Sequence, residues 1–204
     1  FALLIGIALG VVVALVRVTW DKNSREMHGL PKALLAVANW ISKVYLTVIR
    51  GTPVVVQIML MYFVFFASVR NKILVGCLCF GINSGAYVAE IFRGGIMAID
   101  HGQFEAGRSL GFNYFQTMMY IIIPQVIKAV LPTLCNEFIV LLKETSVAGY
   151  VGIMDLTKAG ELIRGRTFSA FMPLIAVALI YLVVVVVLTQ LVKILERRLR
   201  KNER

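Results

Sequence analysis

Charge is scarce in this chain of 204 residues. Only 16% are Asp, Glu, Lys or Arg while 59% are hydrophobic, where soluble domains average roughly 25% and 45–50%. That balance excludes an ordinary soluble enzyme. Acids are the scarcer sign, 11 Asp plus Glu beside 21 Lys plus Arg, giving a net charge of +10. In a water-soluble protein such an excess would suggest nucleic acid; in one this apolar it reads as the cytoplasmic flanks of lipid-spanning helices, with no nucleic-acid partner. Cysteine is sparse and odd in number: Cys77, Cys79 and Cys135 lie in apolar stretches, far in sequence from the histidines, His28 and His101. Neither a disulfide framework nor a metal site follows, and buried thiols explain the set. Catalytic motifs are missing as well. Gly-Lys does not occur, which removes the Walker phosphate loop, and neither Gly-x-Ser-x-Gly nor His-Glu-x-x-His is present.

Long apolar runs are abundant. A helix needs about 20 apolar residues to cross about 30 Å of hydrocarbon, and five stretches approach that length: 1–19, about 47–69, 73–92, about 118–142 and 171–192. The first starts at Phe1 and stays uncharged as far as Arg17. It reads as a first span clipped at its N-terminus, not as a signal peptide, which would want a basic start and a small-residue cleavage site. Five crossings put the termini on opposite sides. With the C-terminus inside, fifteen of the 21 cations are cytoplasmic, among them Arg17, Lys22, Arg25, Lys32, Lys43 and Arg50, against six outside. That asymmetry predicts a cytoplasmic C-terminus and makes 193–204, KILERRLRKNER, a basic cytoplasmic tail.

Between the third and fourth runs lies IDHGQFEAGRSLGFNYFQ. Asp100 can cap a helix with Gln103 at its third position, Gly111 can end it in a left-handed conformation, and Asn113 with Gln116 can start another. The spacing predicts a short separate helix over 100–112. Its Phe104, Ala106, Leu110 and Phe112 form a small apolar patch suited to a partner's groove. Pro124 and Pro132 are expected to break the fourth run, and KETSVAGYVGIMDLTKAGELIRGRT after it to be irregular and to border a watery pathway. Gly6 with Gly10 and Gly81 with Gly85 have the spacing that lets helices approach closely.

Ionisable residues near apolar runs cost from about 2.5 to more than 10 kcal/mol at the bilayer centre, so each must face protein, a partner or water. Glu90, Glu137, Lys143, Glu144, Asp155 and Glu161 are the costly set. Pairing of Lys143 with Glu137 or Glu144 is one reading and a polar pocket the other. Gln57 and Asn83 are embedded too and can bond between helices or to a ligand. The candidate pathway residues are Asn83, Glu90, Glu144 and Asp155, whose three carboxylates tilt the expected cargo towards a basic amino acid.

EAGRSLGFNYFQTMMYIIIPQ resembles the permease signature of ATP-binding-cassette importers: Glu-Ala-Ala, three residues, Gly, nine residues, Ile-x-Leu-Pro. Glu105, Ala106, Gly111, Ile121 and Pro124 match it, while Gly107 replaces the second Ala and Ile123 the Leu. RGTPVVVQ, SGAYVAEIFRGGI and NEFIVLLKETSVAGYVGIMDL are similar to the histidine, arginine and glutamine branch. The resemblance implies an all-α integral membrane fold of the type I importer permease, one transmembrane domain over 1–204, with five transmembrane helices and 100–112 as cytoplasmic coupling helix. It implies no catalysis and no cofactor in this chain, ATP and Mg being held by a partner ATPase subunit. The further partners implied are a second permease subunit in a homodimer or heterodimer, an extracytoplasmic solute-binding protein, the amino-acid substrate and the lipid of a bacterial inner membrane. Glu105, Ala106, Gly107 and Gly111 become the residues that couple to the ATPase. A pore or an ion-gradient-driven secondary transporter is the competing reading; such transporters show internal repeats, and none is found here.

Overall fold

The computed structural model describes residues 1–24 and 27–201, with the backbone alone at 23, 200 and 201. Among these every regular element is helical. Arg25 of the counted loop cations and residues 202–204 of the expected tail lie outside the described residues. Five helices are long and apolar enough to cross a membrane: Ala2–Lys22, Leu30–Gly51, Lys72–Met97, Tyr114–Val151 and Phe171–Leu199.

Helix α1 (Ala2–Asn23) packs along α4 (Lys72–Met97), which is capped by the Asn71 side chain accepting from Leu74 N at 3.1 Å. The glycine spacings explain the closeness. A Cβ on Gly10 would stand 2.6 Å from Val88 Cγ1 and 2.9 Å from the backbone N of Ala89, and one on Gly81 would stand 2.8 Å from Ile5 Cβ. Only glycine lets the two backbones meet this way. Contacts advance in the same direction on both helices: Gly6 lies against Gly81 and Ser84, Gly10 against Val88, and Asp21 bonds Arg93 at 2.9 Å. The helices are therefore parallel, and the chain between them has to cross back.

That return crossing is where the structure departs from the expected 47–69. Helix α2 (Leu30–Gly51) is the long span, and 47–69 is divided at Thr52 and Pro53, both extended, before the shorter α3 (Val54–Leu60) and a π turn at Met61–Phe65. Proline disfavours helical geometry in the residue before it, so α2 stops at Gly51. Counting uninterrupted apolar residues missed α2 because Lys32, Asn39, Ser42 and Lys43 break its run. Asn39 and Ser42 are nevertheless buried, with Asn39 Oδ1 accepting from Arg17 Nη1 at 2.8 Å and Ser42 Oγ donating to Ala38 O at 2.8 Å. Lys32, Lys43 and Arg50, counted as cytoplasmic, thus lie on a span.

The fourth span is not broken. Helix α6 (Tyr114–Thr117), a π turn at Met118–Ile122 and α7 (Ile123–Glu144) follow one another without a gap. Pro124 directly follows the π turn, and Pro132 is carried inside the helix. The stretch expected to be irregular is also helical: a 3₁₀ run at Thr145–Val151 ends on left-handed Gly152 (φ 75°), and α8 (Leu156–Thr167) begins at Asp155. Helix α9 (Phe171–Lys201) closes the chain, packing on α7 and α8.

Candidate functional site

Helix α5 (His101–Ser109) stands apart from the spans and is fixed by local chemistry. Asp100 Oδ1 accepts from Gly102 N at 3.1 Å, and Gly111 ends the segment at φ 80°. Asn113 and Gln116 then exchange side-chain and backbone hydrogen bonds at 2.9 Å to start α6. Both caps are the ones the sequence predicts.

The helix has one held face and one free face. Phe104 is buried among Val18, Ile96, Ile122, Val126 and Val130, with the Lys22 ammonium 3.9 Å above its ring centroid. Burying a Phe contributes about 1.5–3 kcal/mol, so this side chain anchors α5 to the bundle. It is no part of an outward patch, which corrects the expectation from its sequence. Gly107 is buried too: a Cβ there would stand 2.6 Å from Thr117 Cγ2 and 2.7 Å from its Oγ1. The departure from Glu-Ala-Ala thus has a steric reason, since Thr117 occupies the space of the missing methyl. Glu105, Ala106, Arg108, Leu110 and Gly111 face outward. Glu105 is engaged by His101 at 3.4 Å, one turn earlier.

Polar groups inside the bundle form three clusters. At the α2–α3 break, Gln57 Nε2 shares its two hydrogens among Ile49 O at 2.8 Å, Thr52 O at 3.0 Å and Thr52 Oγ1 at 2.8 Å, and so reaches the Ile49 carbonyl that Pro53 leaves without a helical donor. Asn83 Nδ2 donates to Gln57 Oε1 at 2.9 Å, while Asn83 Oδ1 is buried without a partner. Two turns along α4, Glu90 lies 3.7 Å from both Arg50 and Arg93, and Arg93 also bonds Asp21. The third cluster surrounds the end of α7. Glu137, 8% exposed, accepts from Ser84 Oγ at 3.3 Å, and Glu144 Oε2 is buried without a partner. Asp155 Oδ1 caps α8 through Lys158 N at 2.8 Å, but its Oδ2 is likewise buried and unpaired. Beside it a polar cavity of about 230 Å³ is lined by Ser146, Gly149, Tyr150, Thr157, Lys158 and Glu161.

The four candidate pathway residues are therefore not gathered in one place. No hydrogen bond or ion pair joins any two of Asn83, Glu90, Glu144 and Asp155 among the described residues. Lys143 makes no ion pair there with Glu137 or Glu144 either; it is exposed. Glu137 is the most buried acid of the bundle, and its signal in the sequence was a lone acid within CNEFIVLL.

Five spans with polar groups turned inward and one capped helix held outside them make up the architecture of a membrane permease. Residues 31–201 match the family of binding-protein-dependent transport system inner membrane components, and the chain belongs to that family, the permease subunits of ATP-binding-cassette importers. It is a permease component and not the ATPase. It is 35% identical over 97% of its length to a putative glutamine transport system permease protein, GlnP, of Rickettsia bellii, covering 86% of that protein. With the glutamine transport system permease protein GlnP of Escherichia coli K12 it shares 39% identity over 80% of the chain and 77% of the relative. A crystal structure of an amino acid ABC transporter with histidines superimposes with a TM-score of 0.82 at 39% identity, over 97% of this chain and 86% of that one. The MetNI methionine ABC transporter, inward facing, has a TM-score of 0.77 at 15% identity, a likeness of fold alone.

Proposed function

We propose that the chain forms the translocation pathway of an ATP-driven importer of a polar amino acid, in a bacterial inner membrane, and that 100–112 is the coupling helix. The observation that carries this reading is the two-sidedness of α5. Phe104 and Gly107 fasten the helix to the bundle, while Glu105 and Ala106 are exposed to a partner. A helix so fastened transmits displacement: a push on its free face moves the span ends around Phe104. Glu105 and Ala106 make the contact, Gly107 seats the helix on Thr117, and Gly111 turns the chain. The pusher is a cytoplasmic ATPase subunit holding ATP and Mg. A second permease subunit and an extracytoplasmic solute-binding protein complete the importer. In this orientation the C-terminus and the basic stretch 193–204 are cytoplasmic, and 1–204 forms one transmembrane domain.

For cargo, the clusters favour a neutral polar amino acid over the basic one expected from the acid count. Arg50 and Arg93 already compensate Glu90, so its charge is not available for a cationic side chain. Asn83 supplies an unpaired buried amide oxygen, an acceptor for the N–H of an amide side chain, while the unpaired carboxylate oxygens of Glu144 and Asp155 belong to a separate cluster. Relatives named for glutamine agree with that chemistry. Vesicles carrying the complete complex should accumulate labelled glutamine only with ATP and binding protein. Uptake of arginine in preference to glutamine would reject the neutral cargo, and uptake driven by an ion gradient without ATP would favour a secondary transporter.

A further inference from the structure

A cleft of about 670 Å³ opens where the first span ends, between Lys22 and α5. Its walls are of two kinds. Met97, Phe104 and Tyr114 are apolar or aromatic, whereas Lys22, His101 and Arg108 bring nitrogen cations or a titratable ring. The one acid at the cleft, Glu105, is already within 3.4 Å of His101. Lys22 and Arg108 have no carboxylate within 4.0 Å among the described residues, and the Lys22 ammonium rests only on the Phe104 ring. Two uncompensated cations in one recess attract an anion.

Its place at the ends of two spans indicates which anion. Tyr114, at the start of the fourth span, lines the cleft, and such amphipathic rings settle at the level of the lipid headgroups. Basic recesses between spans at that level suit anionic headgroups. The spacing supplies a track for the chains as well: Leu4 and Leu15 are exposed and lie on the same face of α1 as Lys22, eleven and seven residues apart along it. We propose that this cleft seats the phosphate of an anionic phospholipid between Lys22 and Arg108, with an acyl chain lying along the Leu15 face of α1. The lipid would bridge the end of the first span to α5. It is independent of which amino acid is carried.

The assembled transporter, reconstituted with equal amounts of phosphatidylglycerol and phosphatidylcholine and then released into detergent, tests this by native mass spectrometry. The unaltered complex should retain phosphatidylglycerol preferentially. Lys22→Gln with Arg108→Gln should lower that retention several-fold and leave phosphatidylcholine unchanged, and Lys22→Arg should preserve it. Lys22→Gln alone is read in the same way if the double variant does not assemble. Equal retention of both lipids by the unaltered complex, or unchanged retention in the variants, overturns the proposal. So does loss of the ATPase subunit from the variants with phosphatidylglycerol still bound, which would assign the cleft to an acidic segment of the partner.

Discussion

Replacing Gly107 by Ala would restore the Glu-Ala-Ala signature, yet the packing predicts that it loosens the helix. Two effects oppose each other. Within a helix, Gly→Ala is favourable by about 1 kcal/mol. Against this, the new Cβ would meet Thr117 Cγ2 at 2.6 Å, Oγ1 at 2.7 Å and Cβ at 3.1 Å, and overpacking of a filled site costs about 1–3 kcal/mol. Thr117 is 2% exposed and cannot swing aside into solvent. The clash therefore matches or exceeds the propensity gain, and α5 is loosened by about 0–2 kcal/mol. Gly102→Ala in the same helix meets only the Asp100 carboxyl, at 3.6–3.8 Å, and keeps its gain. The two variants should differ by about 1–3 kcal/mol, read as roughly a 5–150-fold difference in hydrogen exchange of the α5 amides in the assembled complex. Thr117→Ala removes the two nearest atoms and should rescue Gly107→Ala. Equal protection in Gly107→Ala and Gly102→Ala, or no rescue, would refute the packing described between α5 and α6.

Two further outcomes follow from the same geometry. Gly10→Ala should lower the thermal stability of the complex by about 1–3 kcal/mol through contact with Val88 and the Ala89 backbone, while Gly94→Ala, with nothing within 4 Å, should be neutral or mildly stabilising in the same melt. Glu161 is held below the usual glutamate range by the hydrogen bond from Lys158 Nζ at 3.0 Å, reinforced by the charges of Lys158 and Arg164. A depressed carboxylate contributes above its unfolded value and loses that contribution as pH falls through its folded one. Exchange protection of α8 should therefore decline as the solution is acidified below the ordinary glutamate range, and Glu161→Gln should remove the decline.

What the sequence made legible is what acts over a few residues. Asp100, Gly111 and the Asn113–Gln116 box could be read directly, because a cap is decided within one turn. The glycine pairs were legible as close-approach sites, and α1 and α4 meet on them. Helix α2 was hidden because its buried polar residues, Asn39 and Ser42, find partners only once folded, and an apolar count treats them as interruptions. The π turn before Pro124 hid in the same way: it reconciles proline with a continuous span and has no local signal. The acids of the bundle were visible as costly, but not their partners. Asp21 and Arg93 are 72 residues apart, Ser84 and Glu137 are 53 apart, and no local pattern connects them. Phe104 looked like part of a docking patch because helical spacing groups it with apolar neighbours; only the fold turns it inward.

Coupling requires α5 to lie on the cytoplasmic face and to be gripped there by the ATPase. The most direct measurement places a single cysteine at exposed position 106, Ala106→Cys, with Cys77, Cys79 and Cys135 replaced, in the complete complex in right-side-out vesicles. The expected result is a crosslink to the ATPase subunit, and protection from a membrane-impermeant thiol reagent added outside. Labelling from the outside, or a crosslinker that never captures the ATPase, would contradict it.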